Sequence, residues 1–437
     1  MRSIFSEHQR RVTWRKTWEA LAFAQMQAGI VSKSEYQDIQ KHVRDVDVEK
    51  ALELEKVIRH DMVAELRVFA GQCKTGGGKL HVGATSMDIQ DNADVVRQKR
   101  ALQLLAKRTA ATLFALNRLI EKYAATPCVA YTHLQAAEPT TLGYRFSVWA
   151  QDLLYDLQTL EWLLTEIRAK GLKGATGTSA SYMQLLKDEK KVEKLESDFL
   201  EKLGVDAFDV TTQTYPRKQD FVLASCLAGL AQSLHKIGLD VRLLQMQQEV
   251  QEPFGKKQVG SSAMPFKRNP VASERLCSLA RLVATAPLVA WENAANNALE
   301  RTLDDSANRR IWMEQSFLAL DEMLLLAYRI LNGLHVNESV VRNHLDQHAP
   351  FALTEVLLME HVKKGASRQE AHEKLREESM AAWQEVLKGK ENPLKKKVAH
   401  VDVRKHVGLS AKKAKAFSKT LKKALSNYEE SAKEATF

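Results

Sequence analysis

Cysteine is scarce in this chain. The four present, Cys73, Cys128, Cys226 and Cys277, stand too far apart for metal-ligand spacing or for a disulfide scaffold, and are expected to be reduced and mostly buried. No uninterrupted apolar run approaches the roughly 20 residues of a membrane span, so no membrane partner is expected. Near the start, Arg2, Glu7, Arg10, Arg11, Arg15 and Lys16 break up any apolar core of a secretory leader. The expectation is a soluble, cytoplasmic protein.

Several cofactor motifs are also missing. The turn Gly76-Gly77-Gly78-Lys79 would need glycine at 73 and serine or threonine at 80 to be a phosphate-binding loop, and Cys73 and Leu80 stand there. After His372-Glu373, Arg376 occupies the place where a zinc-binding helix would carry its second histidine. The turn Gly174–Ser179 lacks the full dinucleotide fingerprint and a preceding strand. No zinc-finger or RNA-binding signature occurs, so nucleic acid is not the expected partner. Neither cofactor nor metal is implied; acid–base catalysis by side chains remains.

The chain's 437 residues, 45% hydrophobic and 27% charged, can bury the core of two or three domains. Its net charge of +10 draws anions in general and names no particular one. Trp14, Trp18, Leu21 and Ala22 fall on a helix-like stretch, and a charged helix is expected through Val48–Phe69. Beyond Asp91 the expected helices are long. Phe146, Trp149, Leu153, Leu157, Leu160, Leu164 and Ile167 form one apolar stripe, and Leu223, Leu227, Leu230, Leu234, Ile237, Val241 and Leu244 another with heptad-like steps. Further helices are expected at about 97–123, 274–298 and 309–333. Helices on the order of 35 Å long suit an elongated all-α bundle, and stripes this extended suit subunit contacts. An oligomer is expected, with an N-terminal helical domain over 1–85, a central long-helix bundle over 86–336 and a C-terminal helical domain with a basic tail over 337–437. In that tail Ala414, Phe417, Leu421, Leu425 and Tyr428 make an apolar face on a lysine-rich helix, read as packed on its own domain in preference to binding a polyanion.

Four polar clusters, each expected just before or within a long helix, are candidates for one site. They are Arg59-His60-Asp61; His81 with Thr85 and Ser86; Thr132-His133-Leu134-Gln135; and Gly260-Ser261-Ser262-Ala263-Met264-Pro265-Phe266-Lys267-Arg268-Asn269-Pro270, continuing to Glu274 and Arg275. Composition alone would allow the last to be a solvated turn. Its order suggests an anion-facing loop. In an elimination beside a carboxylate, a base removes a carbon-bound proton and donors must meet the charge that develops. Lys267, Asn269, Thr85, Ser86 and glycine-turn amides suit that task, and histidine suits protonation of the leaving atom near neutral pH.

Residues 260–270 carry every fixed position of G-S-S-x-M-P-x-K-x-N-P, the signature of the fumarase/aspartase superfamily, which the chain resembles. Over nearly its full length it is similar to the adenylosuccinate lyases, on the strength of the 59–61, 81–86 and 132–135 stretches, Lys173–Thr178, Gln213–Lys218, Glu300–Arg310 and Ser367–Glu373. The resemblance implies the three-domain fold of that superfamily, removal of fumarate from adenylosuccinate and from the succinyl-carboxamide ribonucleotide of purine synthesis, and a homotetramer with active sites shared among three subunits. It also implies roles. Ser261 matches the general base, His133 the general acid, Glu274 the carboxylate that orients the acid, and His60 a histidine beside the substrate. Lys267, Asn269, Thr85, Ser86 and Gln213 match groups on the succinyl part; Arg301, Ser306 and Arg310 match groups on ribose and phosphate; Arg59, Asp61, His81, Thr132 and Arg275 match further substrate-side positions. An Arg-Tyr pair that the family usually carries upstream of the Ile4-Phe5-Ser6 stretch has no match here. A lyase for another succinyl substrate, and an inactive relative that binds polyanions, are the alternative readings.

Overall fold

The computed structural model describes residues 1–430; residues 431–437 of the expected C-terminal domain lie outside them. Ser6 opens α1 (Glu7–Gln27) by accepting the Gln9 N–H at 3.2 Å, which satisfies an amide that the first turn leaves free. A Ser32/Glu35 capping box opens α2 (Lys33–Lys41). The single helix expected through 48–69 is broken in two. α3 (Val48–Ile58) ends at Arg59, whose φ is 53°, and α4 (Asp61–Gln72) restarts after an extended His60. The cause is local: Asp61 Oδ1 accepts the Met62 N–H at 2.7 Å and His60 Nδ1 that of Val63 at 3.4 Å, taking donors that a continuous helix would give its own carbonyls.

α5 (Ser86–Tyr123) follows, 38 residues and so about 57 Å long. The Thr132–Gln135 stretch, expected to adjoin or enter a helix, instead forms the tip of a hairpin between β1 (Pro127–Thr132) and β2 (Gln135–Thr141). Pro127 and Pro139 resist helix interiors, and Val129, Tyr131, Thr132, Thr140 and Thr141 favour a pleated strand. In α6 (Leu142–Glu166) the expected stripe is buried, except that Leu163 is buried where Leu164 was expected. α7 (Ala180–Leu186) and α8 (Glu189–Leu203) lead to α9 (Lys218–Met246), whose seven stripe residues are all buried. Among the described helices α9 alone has the length and apolarity of a membrane span; its buried stripe is what a core helix needs.

After β3 (Val250–Gln251), the helix expected at 274–298 divides into α10 (Val271–Val283) and α11 (Ala286–Ala295), because Pro287 fits a first helical turn and not an interior. α12 (Asp304–Asn332) precedes β4 (His335–Val336), which pairs antiparallel with β3, and then come α13 (Glu338–Ala352), α14 (Thr354–Lys363), α15 (Arg368–Leu387) and α16 (Ser410–Ala424). In α16, Ala414 and Leu421 are buried while Lys412, Lys413, Lys415, Lys419, Lys422 and Lys423 are exposed; Leu425, just beyond it, is buried too. The apolar face is therefore packed on the chain itself.

The chain divides into two compact units whose boundaries fall inside α5, α6, α9, α10 and α12. The first comprises residues 1–107, 156–232 and 279–323. Its core gathers Trp14, Trp18 and Leu21 with Phe69, Tyr182 and Phe199. Arg11 and Arg15, both fully buried, share Glu65 at 3.0 and 2.6 Å. Such charges are tolerated in a core only when paired. The second unit comprises residues 108–155, 233–278 and 324–437, with a core of Val129, Leu345, Leu353, Leu357, Leu358 and Leu375 behind the hairpin.

Candidate functional site

The first unit holds a polar cavity of about 60 Å³, bordered by Met87 directly after Ser86. Arg301, Ser306 and Arg310 line it, together with Arg10, Trp14, Arg97, Arg217, Arg309, Asp94, Asp305 and Glu314 among others. That volume exceeds the ~10–15 Å³ needed for one water, so the cavity has room for a small polar group. Arg310 also pairs with Asp61 at 3.1 Å, which ties the break between α3 and α4 to the start of α12. The Gln213 N–H donates to the Glu300 carbonyl at 3.3 Å and sets Gln213 beside Arg301.

The cavity's frame is a buried ionic network. Arg217 donates Nε to Asp305 at 2.6 Å and both Nη groups to Asp91 at 3.1 Å. Arg309 donates Nε to Asp220 and Nη1 to Asp94, at 2.7 and 2.6 Å, and Nη2 to the Tyr215 hydroxyl. Burial pushes the Asp91 carboxyl up, and the Arg217 and Arg309 guanidiniums oppose that. Among the described residues Arg301 is paired only with Asp305, at 3.4 Å, and its Nε and Nη1 are buried without a hydrogen-bond partner. Burial lowers its pKa, with Asp305 opposing. An incompletely satisfied buried guanidinium calls for an anion.

His81 and His60 adjoin each other electrostatically. Trp18 Nε1 donates to His81 Nδ1 at 3.1 Å, and burial, before any charge effect, lowers the His81 pKa. His81 is therefore held neutral, its ring proton on Nε2. His60 caps α4 and is half-exposed; Arg59 is exposed with its side chain free of hydrogen bonds and ion pairs to described residues. Thr85 and Ser86 open α5, where the Thr85 N–H donates to Asp88 at 2.9 Å. Asp88 is buried and also takes the Lys170 ammonium and the Gly174 N–H, so one carboxylate fixes the 81–86 and 173–178 stretches together.

The second unit carries the remaining candidates. His133 and Leu134 form the two-residue hairpin turn with φ values of 52° and 58°, a left-handed pair normally given to Asn-Gly. The turn leaves Thr132, His133 and Leu134 exposed, and the His133 side chain makes no hydrogen bond or ion pair with any described residue. Beneath it a fully buried Glu249 accepts from the Tyr131 hydroxyl at 2.8 Å and faces His344 Nδ1 at 3.1 Å and Arg145 at 3.5 Å. In the 252–270 loop, Ser261 Oγ accepts two backbone amides, those of Met264 at 3.1 Å and Ala263 at 3.3 Å. Amides aimed at an oxygen favour its charged form. Asn269 donates to the Gly260 carbonyl at 2.9 Å and closes the loop's base, while Lys267 lies exposed. Glu274 and Arg275 are exposed on the first turns of α10, and the Glu274 carboxylate does not meet His133 within the chain.

Sequence reading missed Asp88 and Glu249, and gave no site role to Arg217 and Asp305 within the matched 213–218 and 300–310 stretches. Each is an ordinary charged residue until the fold buries it. Asp88 three residues after Thr85 is the one local signal available, as an acid in a helix's first turn.

Comparison with known proteins identifies the family. Residues 1–284 match a family described as "Lyase" and residues 350–434 match "Adenylosuccinate lyase C-terminus". The adenylosuccinate lyase of Schistosoma mansoni is 42% identical over 400 residues, covering 90% of this chain and 83% of that one. That of Saccharomyces cerevisiae is 40% identical over 382 residues, covering 86% and 79%. Among solved structures, a fumarate lyase from Mesorhizobium sp. BNC1 superposes with a TM-score of 0.82 at 22% identity, covering 97% of each chain. A 3-carboxy-cis,cis-muconate lactonizing enzyme from Pseudomonas putida gives 0.81 at 24%, covering 98% and 97%. These two likenesses show the fold alone, which is all-α.

Proposed function

The chain belongs to the adenylosuccinate lyases, and from that premise we propose how its own residues remove fumarate from adenylosuccinate to leave AMP. It is a carbon–nitrogen lyase. The observation that carries the substrate reading is the cavity holding Arg301 with two buried N–H groups unclaimed, Ser306 and Arg310. A phosphomonoester offers the oxygens these donors lack, and the planar fork of arginine suits it.

Ser261 takes the proton from the carbon beside the succinyl carboxylate, its Oγ readied by the amides of Ala263 and Met264. Electrons then form the C=C bond of fumarate as the C–N bond to the purine breaks. Lys267 and the Thr85-Ser86 stretch meet the charge that develops on the carboxylate, and Gln213 holds the succinyl part. His133 protonates the departing nitrogen, and Glu274 steadies the imidazolium. His60 and the neutral His81 border the substrate. The same chemistry applies to the succinyl-carboxamide ribonucleotide of purine synthesis.

Because His133 and Glu274 are exposed and unengaged with each other in one chain, we assign each site to clusters from different subunits of a homotetramer. Exposed large apolar residues on α6, α11 and α12 support association: Tyr155 (73%), Trp162 (52%), Leu288 (66%) and Ile311 (57%). Four unpaired cysteines suit the reducing cytoplasm, where we place the enzyme. The test follows the absorbance of adenylosuccinate with wild-type protein, Ser261→Ala and His133→Ala. Conversion by wild type alone supports the assignment; wild-type turnover in Ser261→Ala removes the base.

A further inference from the structure

Six arginines line the cavity of the first unit, against three acids, Asp94, Asp305 and Glu314. They fall into two classes by what their N–H groups already do. Arg217 and Arg309 have all three nitrogens engaged, as described above. Arg97 likewise donates Nε to the Ile4 carbonyl at 3.3 Å, Nη1 to Asp94 at 3.2 Å and Nη2 to Glu314 at 2.7 Å. These three build the wall.

The other three have donors to spare. Among the described residues Arg301 has Nε and Nη1 buried without a partner, and Arg310, nearly half-exposed, is held only by Asp61. The third is Arg10, which no motif singles out. Its Nη2 pairs with Glu7 at 2.6 Å, yet its Nε is buried with no hydrogen-bond partner among the described residues. Its guanidinium lies 5.2 Å from the centre of the Trp14 ring, another lining residue, so the fork is held against an aromatic face and little freedom is lost on binding. A buried donor without an acceptor is costly, and three such donor nitrogens, one on Arg10 and two on Arg301, belong to residues that border one small cavity. An anion with several oxygens supplies what they lack; water or a neutral group leaves the excess positive charge uncompensated.

We propose that Arg10 is a third phosphate-binding arginine, reaching from α1 to the substrate's phosphomonoester opposite Arg301, Arg310 and Ser306. This rests on the nucleotide reading above and extends it to a helix that carries none of the motif residues. Arg10 then acts on binding and not on proton transfer, so its removal changes KM and spares kcat.

The test compares Arg10→Ala, Arg10→Gln and Arg10→Lys with wild type on adenylosuccinate and on its phosphate-free nucleoside, and measures binding of AMP, adenosine and inorganic phosphate. A charge-assisted hydrogen bond corresponds to roughly a 10–100-fold change, so KM for adenylosuccinate and Kd for AMP should rise about that much in Arg10→Ala and Arg10→Gln, with kcat within a few-fold. Arg10→Lys should recover part of the loss, and kcat/KM for the nucleoside and Kd for adenosine should not move. In wild type, inorganic phosphate should compete with AMP. Phosphate that binds without competing would place the anion site away from the nucleotide and overturn the proposal. Equal losses on nucleotide and nucleoside would make Arg10 a structural residue, and an unchanged KM would remove it from the site. A wild type that binds AMP through Arg10 but converts no adenylosuccinate would refute the reaction and leave this proposal standing.

Discussion

Gly260→Ala is a small change with a large expected effect on turnover. A Cβ built at Gly260 would lie 2.0 Å from the Lys267 carbonyl oxygen and 3.1 Å from its carbon, with Phe254 at 3.2 Å. Relief to an ordinary contact of about 3 Å requires the two sides of the loop to separate by about 1 Å, and the obstacle is backbone, which cannot rotate away as a side chain would. The Gly260 carbonyl is also the acceptor for Asn269 at 2.9 Å, so the displacement would open the clasp at the loop's base. Ser261 is the next residue. A misplacement of about 1 Å in a catalytic group lowers the rate on the order of 100-fold. Residues 262–268 are exposed, so global stability should change by less than about 1 kcal/mol. Steady-state kinetics and thermal unfolding on one preparation separate the two quantities. Wild-type kcat in Gly260→Ala would refute the close approach; a large loss of stability would refute the loop's independence from the core.

Asp305→Asn removes the charge shared by Arg217 and Arg301, at 2.6 and 3.4 Å; because Arg217 keeps Asp91, the stability loss should be about 1.5–3 kcal/mol by denaturant titration, with KM raised through Arg301. Glu249→Ala leaves Tyr131, Arg145 and His344 without their common acceptor, and should cost about 3–5 kcal/mol while lowering kcat through the hairpin that bears His133. For His81 the folded pKa lies below the unfolded value, chiefly by burial. Its contribution is therefore complete above about pH 6.5, the unfolded value, and is lost as pH falls through the window below it, where the unfolded chain binds the proton first. Trp18→Phe removes the donor to Nδ1 and should raise the His81 pKa, measured by NMR titration of its ring protons; an unmoved pKa would show that burial alone sets it.

Much of the helical fold was legible because burial repeats along a helix. The α9 stripe from Leu223 to Leu244 is buried at every step, and the lysine-rich face of α16 is exposed as its pattern requires. Breaks were less legible. Nothing in the apolar pattern of 48–69 marks Arg59 for a left-handed conformation, since the capping by His60 and Asp61 competes at the scale of one hydrogen bond. The hairpin was missed because His-Leu is a poor turn sequence, kept in place by Glu249, which lies more than a hundred residues away. At the cavity, Arg301, Arg309 and Arg310 look equivalent as a sequence. Only the fold shows that Arg309 is consumed by Asp94, Asp220 and Tyr215 while Arg301 keeps free donors. Arg10 had no sequence signal beyond its spacing from Trp14.

Complementation between inactive variants tests most directly the claim that base and acid from different subunits eliminate fumarate from adenylosuccinate. Ser261→Ala and His133→Ala would be purified separately, shown inactive, then dissociated, mixed and reassembled, with absorbance followed on adenylosuccinate. The account predicts that the mixture regains turnover, because some sites receive an intact serine from one subunit and an intact histidine from another. A reassembled mixture that stays inactive, beside a wild-type control that recovers, would contradict it.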